Sequence, residues 1–310
     1  MKFPGLAGLV AAALLVLAGC ATPQISALDA QWPEGVPDQA QLTHVPFFAQ
    51  EDFECGPAAL AMAFQAAGLS VAPAALVDQV YLPGKKGALQ IEMLATTRRN
   101  GLLAYVLQPK VTDVLREVAA GHPVVVFQNL SLPIYPVWHY AVVIGFDRNR
   151  NLIALHSGTS AAAEMSLYAF ERTWERGNNW AMVALRPPDL PATAQPDALA
   201  RSISGLERSH ADIALRAYNA GLARWPDHRW MLFGAGNSAY AGGNLPLAEN
   251  NYSTLLKTQP DFADAWNNLA QVLMERQQWG PAQAAISHAI SLGGPRLKDY
   301  QALQAQIQNR

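Results

Sequence analysis

Three alanines, Ala214, Ala248 and Ala282, stand 34 residues apart in the second half of the chain, and Tyr218, Tyr252 and Ile286 follow them at an offset of four. Pro226 and Pro260 share the interval, and Gly236 is matched by Ala270. A fixed period of this length, with small residues and then a large apolar residue one turn on, describes a pair of crossing helices. Such a pair buries its apolar face only by stacking on the next pair. The pattern is strongest from Trp230 to Pro295 and weaker over a first unit at 195–228, and Leu297 to Gln308 is expected to cap the last apolar face. Trp225, Trp230, Trp266, Trp279 and Tyr300 read as core or cap residues. His210, His228 and His288 are too scattered in sequence to argue for a metal. A plain helical bundle is the alternative for this region.

The first half follows different rules. A chain of 310 residues suggests about two domains at ~150 residues each. Twenty-two Lys+Arg against 24 Asp+Glu leave a formal charge of -2, so no global field draws nucleic acid. Lys2, the apolar run Leu6–Ala18 and the ending Leu17-Ala18-Gly19-Cys20 have the layout of an export signal, too short to span a bilayer comfortably. That ending resembles the lipobox of bacterial lipoproteins, which implies removal of residues 1–19 and lipidation of Cys20. Ala21 after the cysteine implies, by analogy with Gram-negative lipoproteins, an outer-membrane location facing the periplasm and a membrane contact through the lipid. Residues 20–40, with three prolines and no clear periodicity, read as a tether.

Lipidation of Cys20 leaves Cys55 without an intramolecular disulfide partner in an oxidising compartment. Cys55 opens Cys-Gly-Pro-Ala-Ala-Leu, in which Pro57 fits the first turn of a helix and Ala58 to Ala67 continue it. Backbone N–H groups and the helix dipole at such a position favour thiolate and lower a cysteine's pKa. The alternative is a small buried hydrophobe.

From residue 41 to residue 187 the pattern predicts helices first and an antiparallel sheet afterwards. Helices are expected at Ala72–Val80, Ala88–Asn100 and Val111–Ala120, and strands at Leu102–Leu107 and Val124–Phe127. A hairpin of Val137–Phe146 and Asn151–His156 turns at Asp147-Arg148-Asn149-Arg150, and a helix near Leu167–Arg176 leads to a strand at Trp180–Leu185. His139 begins the first hairpin strand, on one face with Ala141 and Val143. A cysteine at a helix start and a histidine on a later strand can bring a nucleophile and its base together.

Residues 41–187 resemble the bacteriocin-processing, double-glycine-leader type of papain-like cysteine peptidase in three places. Gln50 stands where that family has an oxyanion-hole glutamine, Cys55 to Leu60 match the nucleophile helix, and Trp138 to Val143 match the histidine strand. The 34-residue units resemble the tetratricopeptide repeat. Together these imply an α+β papain-like cysteine peptidase domain, a linker at 188–196, and an all-α tetratricopeptide-repeat solenoid at 197–310. The implied roles are Cys55 as nucleophile, His139 as general base and acid, and Gln50 as oxyanion donor, with no metal or organic cofactor. The implied partners are a protein or peptide substrate and a protein bound by the repeats.

The third catalytic position departs from the family pattern. Where an Asp or Asn is expected after the histidine strand, the chain has His156-Ser157-Gly158. His156 is the candidate to orient His139; Asp147, the nearest carboxylate in sequence, lies at the far end of the strand. The readings left open are a working dyad, a slow enzyme, a non-catalytic binding lipoprotein and a cell-wall amidase. The double-glycine preference belongs to relatives that feed transporters and is not carried over.

Overall fold

The computed structural model describes residues 22–49, 55–85 and 87–309. It begins with a helix where a tether was expected. Helix α1 (Pro23–Ala30) buries Ile25 and Leu28, one turn apart, and Val36 is buried just beyond it. Its first N–H groups have no partner within the helix. They are satisfied by the carboxylate of Glu171, which accepts from Gln24 N at 2.9 Å and Ile25 N at 2.8 Å, and a negative charge at this end also suits the helix dipole. Gln24 adds a hydrogen bond from Val111 N to its Oε1 at 2.7 Å. The capping group lies 146 residues from Ile25, and Pro23 in the first turn is the local signal that remains for this helix.

Strand β1 (Gln39–Gln41) follows, then helix α2 (Cys55–Ala66), helix α3 (Ala74–Val80), a small hairpin of β2 (Tyr81–Leu82) and β3 (Gly87–Ala88), and helix α4 (Gln90–Arg99). Strand β4 (Leu103–Val106), helix α5 (Val111–Ala119), and strands β5 (Val124–Asn129), β6 (Trp138–Asp147), β7 (Leu152–Ser157) and β8 (Ser160–Ser166) come next. Helix α6 (Leu167–Glu175) and strand β9 (Ala181–Leu185) complete the domain. The main sheet runs β4-β9-β5-β6-β7-β8, with β1 paired to β6, and every pairing is antiparallel. Sequence periodicity missed β8. Its stretch Ser-Ala-Ala-Ala-Glu-Met-Ser is largely exposed at the sheet edge and has no apolar alternation, so it is a strand because β7 pairs with it. Helix α2 is the core element, buried without interruption from Gly56 to Phe64. An apolar run this continuous marks a helix covered on all sides.

Seven further helices follow: α7 (Pro196–Ser204), α8 (Ala211–Arg224), α9 (Arg229–Ala241), α10 (Leu245–Thr258), α11 (Ala263–Glu275), α12 (Trp279–Leu292) and α13 (Leu297–Gln308). The periodic residues sit where the helices cross. A Cβ on Gly236 would stand 2.4 Å from the Tyr252 ring, and one on Gly234 would stand 2.2 Å from Tyr218, so glycine here makes room for the repeated tyrosines. Among the described residues, no helix is long and apolar enough to cross a membrane.

The connection between the halves is held down. Glu117 on α5, fully buried, accepts from Thr193 N at 2.7 Å, Thr193 Oγ1 at 2.6 Å and Ala192 N at 3.2 Å, and meets His122 Nδ1 at 2.7 Å. Gln195 N donates to the Tyr105 hydroxyl at 3.0 Å. One continuous apolar cluster runs from Ile25 to Ala235, taking in α7, α8 and the start of α9. A second, from Leu232 to Ile307, belongs to the later helices. The first helices of the repeat region therefore pack as part of the sheet domain's core, and the stretch 188–196 is a docked strap.

Candidate active site

Cys55 is the first residue of α2 and is half-buried. Burial pushes its thiol above the ordinary value of 9.0, while backbone N–H groups of Tyr140, Gly56 and Cys55 itself pull the other way. Burial wins, so the thiolate expected from the helix terminus is not the resting form. The Tyr140 amide belongs to the peptide link with His139, so the sulfur rests beside the backbone of the histidine.

Close packing fixes this helix start. A Cβ on Gly56 would stand 2.6 Å from Ala88 Cβ and 3.3 Å from both Met93 Sδ and Val80 Cγ1. The Tyr140 hydroxyl donates to Ala88 O at 3.2 Å, which ties the β2–β3 hairpin to β6 across the start of α2. Tyr140 also packs against Phe127 and Trp180, and Trp138 stacks on Phe127 at 5.2 Å. These rings form one aromatic cluster with Tyr140, whose backbone N–H faces the thiol.

His139 pairs across the sheet with Gln128, whose side chain is buried and donates to Thr173 Oγ1 at 2.6 Å. Burial lowers the His139 imidazole below its ordinary 6.5. Its Nε2 lies 2.9 Å from Ser157 Oγ, and among the described residues Nδ1 has no other hydrogen-bond partner. The thiol and imidazole are thus both driven toward their neutral forms. Among the described residues, no carboxylate stands behind the ring to hold an imidazolium.

The group behind His139 is therefore Ser157, and His156 does not fill the role expected of it. The His156 ring is buried, with Nε2 3.2 Å from Val45 O and Nδ1 accepting from Ala162 N at 3.1 Å, and Phe47 packs against it. The cause is one residue of register. From the turn, Asp147 pairs with Leu152, Phe146 with Ile153 and Gly145 with Ala154; then Ile144 bulges, and Val143 pairs with Leu155 and Val142 with His156. Without the bulge, His156 would face Val143 and share the side of Ala141 and His139. With it, His156 falls on the side of Tyr140 and Val142, and Ser157 comes onto the side of His139. A signal was present in Gly145, since an isolated glycine within a strand pattern marks a bulge or a close approach. Here it marks both: a Cβ on Gly145 would stand 2.8 Å from Ala40 O in β1. Asp147, at the other end of β6, accepts from Arg150 N at 3.0 Å and takes no part. Gln50 and Cys20 lie outside the described residues.

Residues 42–182 match the family described as Peptidase_C39 like, and 199–249 and 233–286 match a tetratricopeptide repeat. The first half is a C39-like domain and the second a run of tetratricopeptide repeats. Among solved structures, a putative C39-like peptidase from Bacillus anthracis is 20% identical with a TM-score of 0.41, over 48% of this chain and 98% of its own. The peptidase domain of Streptococcus ComA, a bifunctional ABC transporter of a quorum-sensing pathway, is 19% identical with a TM-score of 0.38, over 46% and 98%. The TPR2B domain of yeast Sti1, solved with an Hsp70 peptide, is 15% identical with a TM-score of 0.34, over 37% and 95%. The RNA polymerase-associated protein CTR9 of Caenorhabditis elegans is 31% identical over 84 residues, which are 27% of this chain and 7% of that protein's length. The C39-like domain thus contains the cysteine, the histidine strand and the bulge that selects Ser157.

Proposed function

We propose that this chain is a lipid-anchored cysteine peptidase whose repeats bring a protein or peptide to the site. The observation that carries the reading is the placement of Cys55 against the His139–Tyr140 peptide link while the His139 ring is held from behind by Ser157. Starting from a neutral pair, the sulfur attacks a peptide carbonyl as His139 takes the thiol proton. The oxyanion so formed is met by the Cys55 backbone N–H and the Gln50 amide, each such donor worth ~3 kcal/mol. The C–N bond then breaks as His139 returns the proton to the leaving amine. Water, deprotonated by His139, hydrolyses the thioester and regenerates the thiol. Ser157 has one hydroxyl to orient the ring, and its dipole stabilises the transient imidazolium less than a carboxylate would.

The docked strap gives the repeats a fixed position relative to the site. A protein held by them would be presented at a set distance and direction from Cys55. The Leu-Ala-Gly-Cys20 ending supports export and lipidation, and with Ala21 it supports an outer-membrane location facing the periplasm.

A second reading, a binding domain that has lost turnover, is favoured by the serine behind His139 and by the neutral thiol. The two separate in a comparison of amino termini in envelopes of cells carrying wild type and Cys55→Ser. Termini that require the thiol are expected. Identical sets of termini, with purified wild type also failing to cleave the envelope proteins, would leave only binding.

A further inference from the structure

The connection from β5 to β6 carries Leu130, Leu132, Ile134, Tyr135, Val137 and Trp138, all 43 to 77% exposed. From Pro123 to Phe146 the chain has no Asp, Glu, Lys or Arg. A contiguous exposed apolar surface of this kind marks an interaction site. Its backbone is internally held. Asn129 Oδ1 accepts from Ser131 N at 3.0 Å and Val137 N at 2.9 Å, Leu130 N donates to Val137 O at 2.9 Å, and Tyr135 N donates to Leu132 O at 3.0 Å. The result is a fixed apolar projection, most exposed at Ile134 and Tyr135.

Two relationships place this projection beside the amino terminus of the described chain. Strands β4 and β5 both run antiparallel to β9, so Pro109, after β4, and Asn129, at the end of β5, leave the sheet at the same end. The Gln24 side chain donates to Pro109 O at 3.3 Å. Helix α6 spans the remaining gap: Glu171 holds the start of α1, and Arg176, next after the helix, donates through Nε and Nη2 to Asn129 O at 3.2 and 3.0 Å. Those two residues are about 7.5 Å apart along the helix axis. Cys20 precedes Pro23 by three residues, a reach of at most about 11 Å.

We propose that the Leu130–Trp138 loop enters the headgroup–acyl boundary of the bilayer that holds Cys20, so that the site beside His139 opens toward the membrane and acts on peptide segments at its surface. The proposal rests on the anchoring reading above. A docked α1 leaves no tether to lift the domain away. A projecting apolar loop with a tyrosine near its tip and a tryptophan at its base suits a lipid interface, whereas a peptide ligand calls for a concave groove.

The test uses the mature chain with Cys55→Ser and either Ile134→Cys or Asn149→Cys, labelled with an environment-sensitive fluorophore and reconstituted by its lipid into phosphatidylethanolamine–phosphatidylglycerol vesicles. Mass spectrometry of the amino-terminal peptide reports acylation separately. At 134 a blue shift is expected, with severalfold quenching by lipids carrying a nitroxide on the acyl chain. At 149, in the hairpin turn at the other end of β6, neither is expected. Acylated protein without a shift at 134, or with equal quenching at both positions, overturns the proposal alone. A shift at 134 that needs an added protein and no lipid makes the loop a protein-docking surface, which also overturns it. An unacylated Cys20 overturns the anchoring reading and this proposal with it.

Discussion

His139 Nε2 and Ser157 Oγ lie 2.9 Å apart, which puts a hydroxyl where an orienting carboxylate would stand. Replacing Ser157 by Ala removes one hydrogen bond to the ring and is expected to lower kcat/KM by about tenfold, ~1.4 kcal/mol. Ser157→Asp is expected to raise kcat/KM, because a nearby negative charge favours imidazolium, and to move the acid limb of the pH–rate profile upward. His156→Ala breaks the contacts to Val45 and Ala162 and is expected to cost ~1–3 kcal/mol of stability. Its acid limb should stay with wild type. A shift of that limb in the His156 variant, with none in Ser157→Asp, would reverse the assignment.

The thiol is pushed up by burial and the imidazole down, so the resting pair at pH 7 is neutral. The ultraviolet thiolate absorbance of wild type minus Cys55→Ser is expected to appear only as the pH rises past 9.0. A thiolate band already present at pH 5 would show a preformed ion pair instead. The His139 shift also has a stability consequence. The unfolded chain takes up this proton near 6.5 and the folded chain only at lower pH, so stability present above 6.5 is lost as the pH falls toward the folded value. Histidine-specific NMR titration of wild type against His139→Gln checks that order.

Gly56 has no room for a methyl group, since Ala88 Cβ would stand 2.6 Å from it. Gly56→Ala is expected to destabilise the fold by ~1–3 kcal/mol and to shift the Cys55 end of α2. Because the closest of its three tight contacts is with Ala88 Cβ, Ala88→Gly in the same chain should restore part of the loss, read by urea denaturation as a coupling of ~1 kcal/mol or more. Additive effects of the two changes would show that the contact is not the cause.

Glu117 holds the strap through three hydrogen bonds from Ala192 and Thr193. Glu117→Ala leaves the two buried donors of Thr193 unpaired and is expected to cost ~3 kcal/mol or more. Calorimetry should then resolve two unfolding steps where wild type has one, and proteases should cut first between Arg186 and Gln195. A single transition at a lower Tm, with no new cleavage, would mean that the shared core couples the halves without the strap.

The helices and their order were legible because their signals are local. The Cys55 helix declares itself by a proline in its first turn and a run of alanines, and the repeats by their spacing. The described helix Leu297–Gln308 has the bounds expected of the cap. Helix α1 and strand β8 were missed: beyond Pro23 in its first turn, the first depends on a carboxylate 146 residues away, and pairing to β7 forms the second.

The site divides in the same way. Sequence alone determined that a cysteine opens a helix and that a histidine begins a strand, because both depend on neighbours a few residues away. Tertiary structure decided the charge state of the thiol, since burial there outweighs the amides at the helix start. It also decided which residue stands behind His139. Side chains alternate across a sheet with period two, so the single extra residue at Ile144 exchanges His156 for Ser157, and that bulge exists only in the pairing of β6 with β7.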